Sequence, residues 1–413
     1  MLDNWNIRKK ITEIEFVIQE KEISVELVKK YLKNSVDIKY KEIFINGKKD
    51  IKGTLVFIEG LINTDIIDNY ILKPLRQEQF EIKDEKELIS EIINANVYHL
   101  AQQKVDILEE AIGNVLNGNI ILIFDLEKAC ISFDVKGAEK RSVTEPTSEN
   151  IIKGAKECFV ELMRVNTSLI RKKIKTYDLN IEEEKIGSKS PTSVSIVYLE
   201  SLVNKQILQE LKKRIKDIKI ENLTSLSIFE ERIKDNKYSL FPELIYTELP
   251  DKACANIMDG RIVLIVDGYP TVYILPVCLP MFFQTPEDYS NNYIMGSFTR
   301  MLRYIALVVT SILPALYVAI LMFHQDMIPT SLAESIIKSK ENVPFTAFTE
   351  TLLMLIAFEI LIEAGIRMPK TIGQTVSIIG GLIVGQAAVS AKFLSPAVVV
   401  VIATAGISRI SYA

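Results

Sequence analysis

Histidine is nearly missing from this chain of 413 residues: His99 and His324 are the only two, too few for a histidine metal centre or a catalytic triad. Cysteine is also scarce. Cys130, Cys158, Cys254 and Cys278 lie far apart with no CxxC spacing, so they read as buried thiols in a reducing compartment, with no disulfide framework. There is no basic excess either. Against 49 Lys and Arg stand 53 Asp and Glu, and a net charge of −4 offers nucleic acid no electrostatic footprint. The opening stretch MLDNWNIRKKITEIEF lacks the apolar core of a secretory signal, which places the front of the chain in the cytosol. The glycine cluster at 380–385 sits inside an apolar run, without the preceding strand that a phosphate loop needs. No catalytic residue, cofactor or metal is expected, and the chain reads as a non-enzyme.

The charge that is present is unevenly spread. Residues 304–413 hold six of the 49 basic and six of the 53 acidic groups, so charge density falls about threefold past Arg303. Residues 304–323, YIALVVTSILPALYVAILMF, carry no charge and are long enough to cross a hydrocarbon core of about 30 Å as helix. Pro314 is tolerable there, because neighbouring helices satisfy the freed carbonyl. Residues 371–391 form a second uncharged stretch and 393–408 a shorter third. Residues 345–366 are apolar but include Glu350, Glu359 and Glu363, and read as a membrane helix turned toward protein or water. With the front domain in the cytosol, Arg300, Arg303, Arg367, Lys370 and Arg409 fall inside and Lys338, Lys340 and Lys392 outside, the sense of the positive-inside rule. Residues 274–283 are too short to span and contain Pro276 and Pro280, so they read as an interfacial coupling segment.

Ahead of that region the chain repeats itself. Leu55-Val56-Phe57-Ile58-Glu59-Gly60-Leu61-Ile62-Asn63 matches Ile196-Val197-Tyr198-Leu199-Glu200-Ser201-Leu202-Val203-Asn204, and residues 114–125 match 256–267, at offsets of 141 and 142. Each unit contains a strand, a helix, further helical sequence, a helix closed by Gly118 or Gly260, and then two strands, the continuous apolar runs being 120–124 and 262–266. The expected architecture is an α/β cytosolic domain of two similar lobes, residues 1–148 and 176–290, joined by a helix at 149–175. An α-helical transmembrane bundle of about four helices follows at 291–413. The basic run at 171–175 reads as a solvated helix end.

Several polar or small residues in the membrane region are candidates for function. Glu359 and Glu363 are four apart and share a helix face, with Glu350 about half a turn round. Carboxylates at membrane depth face a cavity, a partner or an ion path. All three are candidates for an ion path or gating contact; the alternative is that they pair with Arg367 or Lys370 and anchor the bundle. Gly381 and Gly385 have GxxxG spacing, which lets helices approach closely, and Gln374 and Gln386 are amides that need partners in lipid.

Many motifs in order carry a family resemblance over about residues 35–405. In the front domain these are Asp65-Ile66-Ile67, Leu72-Lys73-Pro74, Ser142-Val143-Thr144-Glu145-Pro146 and Asn166-Thr167-Ser168-Leu169-Ile170-Arg171. Further on come Gln284-Thr285-Pro286-Glu287-Asp288-Tyr289, Arg300-Met301-Leu302-Arg303-Tyr304, Leu313-Pro314-Ala315-Leu316-Tyr317 and Glu363-Ala364-Gly365-Ile366-Arg367-Met368-Pro369-Lys370. Together they resemble the A subunit of GerA-type spore germination nutrient receptors. The resemblance implies a membrane subunit in the spore inner membrane, acting with a multi-spanning B subunit and a lipoprotein C subunit. It also implies a homo-oligomer in membrane lipid that passes ions when nutrient is sensed. Leu355 stands where family members have a glutamate, and Ala155-Lys156-Glu157-Cys158-Phe159 replaces Pro-Arg-Glu-Gly-Phe. The family continues through further membrane helices past Ala413, which implies a shortened copy. The rival functions are a non-conducting assembly scaffold and a secondary transporter; the membrane region shows no inverted repeat of the transporter kind.

Overall fold

The structure, a computed structural model, describes Glu20, 22–33, 35–45, 51–77, 85–96, 102–135, Gly137, 157–239, 241–285, Asp288, 292–341, 343–367, Gly381, Ile383 and 385–410. The chain divides into two units, Met1–Cys278 and Leu279–Ala413.

The first unit holds two five-stranded antiparallel sheets. In one, β1 (Ile38–Phe44), β2 (Lys52–Ile58), β3 (Gln102–Val105), β4 (Ile120–Phe124) and β5 (Ala129–Phe133) run in the order β1-β2-β4-β5-β3. In the other, β6 (Leu179–Ile186), β7 (Thr192–Leu199), β8 (Ile245–Thr247), β9 (Ile262–Val266) and β10 (Val272–Leu275) run β6-β7-β9-β10-β8. The repeat extends to register. Ile38 pairs with Ile58 as Leu179 pairs with Leu199, Leu55 with Leu122 as Ile196 with Leu264, and Val105 with Cys130 as Thr247 with Val272. Corresponding partners are 141 or 142 residues apart throughout. A one-residue slip would have turned each apolar set to the opposite face.

The continuous apolar runs follow from cover on both faces. In the first sheet Ile120, Leu122 and Phe124 join Leu55, Ile71, Leu75 and Leu88 on one side. Ile121 and Ile123 alternate to the other side, against Leu108, Ala111, Ile112 and Val115 of a helix. In the second sheet Ile262, Leu264 and Val266 pack with Leu208, Leu211 and Phe229. Every residue of β4 and β9 is buried. At about 1.5–3 kcal/mol for each buried Ile, Leu, Val or Phe side chain, these two strands anchor their lobes.

Local signals place the helices of this unit. Among them are α1 (Val25–Tyr31), α2 (Leu108–Leu116), α3 (Met163–Lys173), α4 (Lys205–Asp217), α5 (Leu226–Ile233) and α6 (Pro250–Met258), with further short helices at Thr64–Ile67, Lys73–Gln77 and Glu85–Glu91. Asn63 and Asn204 hold equivalent positions, and each side chain accepts N–H bonds from residues two and three further on, capping the following helix. Gly118 and Gly260 end α2 and α6 with φ of +87° and +83°, as the sequence predicts for a C-terminal glycine. At Gly260 a Cβ would also lie 2.7 Å from the Leu202 carbonyl oxygen.

Three expectations need correcting here. Ile274 and Leu275 are buried in β10, so residues 274–283 do not form one interfacial segment; 279–283 make a separate short 3-10 turn. Cys278 is exposed, whereas burial holds the other three cysteines inside and pushes the Cys130 and Cys254 thiols up to about 12. Arg171 is no solvated helix end. It lies at the junction of the lobes, where Nε and Nη2 bond Asp37 at 2.9 and 3.2 Å and Nη2 also reaches Ser35 Oγ at 2.8 Å. Both side chains of that pair are 1% exposed. Nearby, the Val36 N–H donates to the Ile181 carbonyl at 2.9 Å, and Arg164 of α3 bridges Glu59 of one lobe and Glu183 of the other.

The second unit is helical: α7 (Tyr293–Phe323), α8 (Thr330–Lys340), α9 (Ala347–Arg367) and α10 (Pro396–Ile410), with a further helical piece at 385–390. Met354, Leu394, Val398 and Ile402 form a small core, joined by Tyr317 and Phe358. Among the described residues one helix, α7, is long and apolar enough to cross a membrane, and α10 is a shorter apolar helix. Pro314 lies inside α7.

Candidate functional site

The carboxylates singled out in the sequence all lie on α9, and each meets a base. Glu350, in its first turn, is fully buried; it accepts the Ser395 N–H at 2.9 Å and faces Lys340 Nζ at 3.0 Å. Glu363 pairs with Arg367 one turn on, at 2.8 Å, with both side chains largely exposed. Glu359 reaches another helix: Arg409 of α10 donates to it from Nη1 at 2.5 Å. That pair is half open, with side chains 61% and 45% exposed, so it is held by weaker desolvation than Glu350. Arg409, fifty positions away in sequence, was not among the partners the sequence offered for Glu359.

The small residues are placed as follows. Gly385 is buried, and a Cβ there would meet Val399 Cγ1 of α10 at 3.6 Å, an ordinary contact. At Gly381 a Cβ would have no neighbour within 4 Å among the described residues. Gln386 is exposed, and Gln374 lies outside the described residues. Among the described residues a close helix approach is also seen at Gly406, where a Cβ would overlap the Phe358 ring of α9. The stretch Ala403-Thr404-Ala405-Gly406 carries the small-residue signal that would have pointed there. Close by, Thr310 of α7 donates to the Ala405 carbonyl at 3.1 Å.

A second cluster lies at the start of α7 and joins two of the sequence motifs. Arg303 donates from Nη1 to Asp288 at 2.7 Å and to the Phe283 carbonyl at 2.9 Å, and from Nη2 to Thr285 Oγ1 at 3.0 Å. Arg300 lies 3.5 Å from the same carboxylate. Burial pushes the Asp288 carboxyl up, but bonds from Arg303 and the Thr285 N–H and the two guanidinium charges together hold it below its ordinary value. Gly296 makes room for the loop, since a Cβ there would lie 2.5 Å from the Asp288 carbonyl oxygen. The sequence offered Asp288 and Arg303 as motif letters fifteen positions apart, with nothing to indicate their pairing. Among the described residues no group of His, Cys, Asp and Glu is placed to hold a metal ion.

Comparison with known proteins agrees with these motifs. The family described as Bacillus/Clostridium GerA spore germination protein matches residues 26–412. An "uncharacterized membrane protein YfkQ" of Bacillus subtilis (strain 168) is 37% identical over 374 residues, 90% of this chain and 72% of the relative. Spore germination protein B1 of the same organism is 33% identical over 385 residues, covering 93% and 79%, and spore germination protein A1 is 35% identical over 366, covering 88% and 75%. Among solved structures, the N-terminal domain of the A subunit of the Bacillus megaterium spore germinant receptor GerK3 aligns with 63% of this chain and 98% of its own length, at 26% identity and a TM-score of 0.49. Matched over nearly its whole length, the chain belongs to the GerA family of spore germination proteins.

Proposed function

We propose that this chain is the A-type membrane subunit of a nutrient-sensing germination receptor and that its helical unit gates ion release. In this reading α7 crosses the spore inner membrane, the two-lobed unit faces the cytosol, and B-type and C-type subunits complete the receptor. The chain acts as a homo-oligomer and carries out no catalysis of its own. Relatives named spore germination proteins support the receptor role. The observation that carries the gating role is the half-open Glu359–Arg409 pair, which ties α9 to α10 where neither side chain is buried. Where it faces water, such a pair adds about 0–1 kcal/mol, so the two helices separate there at little cost. Glu363, Glu350, Gln374 and Gln386 are proposed as supporting polar positions, and Gly381 and Gly385 as packing positions.

Glu359→Gln tests the gate, because the amide keeps the size and loses the charge. Spores expressing the full chain with its partner subunits are expected to hold the variant at normal level while nutrient-triggered ion release changes about tenfold or more. Normal level with unchanged ion release would sink the gating role. Bilayer recordings of the reconstituted full chain separate channel from scaffold: a chain that assembles with its partners but never conducts is a scaffold.

A further inference from the structure

A half-open cavity that the gating role does not use lies between the end of α7, the second half of α8 and the start of α9. Its volume is about 660 Å³, within the range of ligand sites, and Leu321 and Met322 of α7 and Ile336 and Ile337 of α8 form its apolar lining. Lys338 and Glu341 also line it. The same two residues line a neighbouring, more polar cavity of about 230 Å³, together with Lys392. Lys340 is committed to Glu350, whereas Lys338 and Lys392 make no ion pair among the described residues. Both free lysines are exposed. An apolar slot thus opens beside two uncommitted ammonium groups and one carboxylate, at the last turn of the helix that is apolar enough to span a membrane.

We infer that this paired cavity is a binding site for a membrane phospholipid whose headgroup carries a primary ammonium beside its phosphodiester. The inference rests on the reading that α7 spans the membrane. Leu321 and Met322 then lie at the level where acyl chains meet headgroups, and an acyl chain enters the apolar slot without leaving its hydrocarbon surroundings. Lys338 and Lys392 match the phosphodiester by charge, and Glu341 matches the ammonium. Two bases and one acid complement a phosphate–ammonium headgroup better than a purely anionic one, which would leave Glu341 facing like charge. The amphipathic α8, with Leu332, Ala333, Ile336 and Ile337 on one side and Glu334, Ser335 and Lys338 on others, suits a helix lying along the headgroup layer.

The test uses the full chain in phosphatidylcholine nanodiscs doped with a photoactivatable phosphatidylethanolamine, with adducts located by mass spectrometry. Labelling is expected on Leu321, Met322, Ile336 or Ile337, competed by unlabelled phosphatidylethanolamine and poorly by phosphatidylcholine or phosphatidylglycerol. Lys338→Gln and Lys392→Gln are each expected to weaken it about fivefold, the effect of one basic residue on attraction to a lipid phosphate surface. Glu341→Gln should remove the preference for the ammonium headgroup while keeping binding. Equal competition by phosphatidylcholine, or labelling indifferent to both lysines, would overturn the site. A neutral photolipid probes residues 304–316 in the same sample. Labelling there without labelling of the cavity rejects the lipid site alone, whereas no labelling in either place rejects the membrane span as well.

Discussion

The two units of this chain use apolar residues in opposite ways. In the α/β unit Leu122 and Leu264 are fully buried between helices and sheet, and apolar side chains face inward. In the helical unit Ile305, Val308, Ile312 and Leu316 are all about half exposed along one helix, and the core is reduced to a few contacts among α7, α9 and α10. Polar groups do not divide so simply, since Glu350 of the helical unit is buried as deeply as the front unit's Asp37–Arg171 pair. The front unit closes its deepest junction around the buried Asp37–Arg171 pair, while α9 and α10 are tied by the open Glu359–Arg409 pair. A surface that is apolar outside and sparingly charged within is stable only in a solvent as apolar as itself or beneath another protein. The comparison therefore separates a unit built round two buried sheets from one whose longest helix leaves its apolar side chains uncovered.

The largest effect that would break this contrast is at Arg171. Arg171→Leu leaves Asp37 charged and buried without a partner, and is expected to cost about 3–5 kcal/mol of stability in chemical denaturation of the full chain. The double variant with Asp37→Leu should recover much of that loss. No loss in the single variant would mean that the junction is open to water. Next in size is a matched pair of truncations. Leu264→Ala should destabilise the α/β unit by about 2–5 kcal/mol, because the cavity it leaves is closed on both faces. Leu316→Ala, about half exposed on α7, should change folding by less than about 0.5 kcal/mol in lipid, where the lost contacts are replaced by acyl chains. A loss at Leu316 as large as that at Leu264 would show the exposed face covered by a second protein surface.

The smallest expected effect is a pH dependence at the base of α7. The Asp288 carboxyl is held below its ordinary value in the folded chain, so its contribution is complete above that value and is lost as pH falls through the lowered one. Hydrogen-exchange protection over residues 279–303, taken relative to the intrinsic rate at each pH, should therefore fall in acid, and Asp288→Asn should show low protection at neutral pH with no further acid response. Protection that stays flat into acid in the native chain would remove Asp288 as the anchor.

Much of the front unit was legible before any coordinates. The offsets of 141 and 142 between repeated segments reappear as the offsets between paired residues in the two sheets, because strand register follows the apolar pattern that the repeat preserves. Gly118 and Gly260 were legible for a local reason: a left-handed residue after a helix is inexpensive for glycine alone. The continuous runs of β4 and β9 were recognisable as doubly covered strands, although the sequence did not say that both sheets are antiparallel throughout. The candidate site was less legible. Glu350, Glu359 and Glu363 could be named from their depth in an apolar run, but three carboxylates on one helix have three different partners: Lys340 before it, Arg409 on another helix, and Arg367 one turn away. The motifs at 142–146 and most of the second apolar stretch lie outside the described residues.

By itself the sequence determined everything that depends on near neighbours along the chain: the repeated strand segments, the glycine-closed helix ends, the uncharged length of α7 and the fall in charge past Arg303. These follow from periods of two and 3.6 residues, from single-residue backbone preferences and from the thickness of a bilayer. Only the tertiary structure decided which charges meet. Arg171 finds Asp37 across 134 positions, Arg409 finds Glu359 across 50 and Arg303 finds Asp288 across 15, each by the packing of separate elements. An ion pair between separate elements leaves no spacing in a single sequence, unlike Glu363–Arg367 one turn apart on α9, so its partners become known only when the fold brings them within about 3 Å.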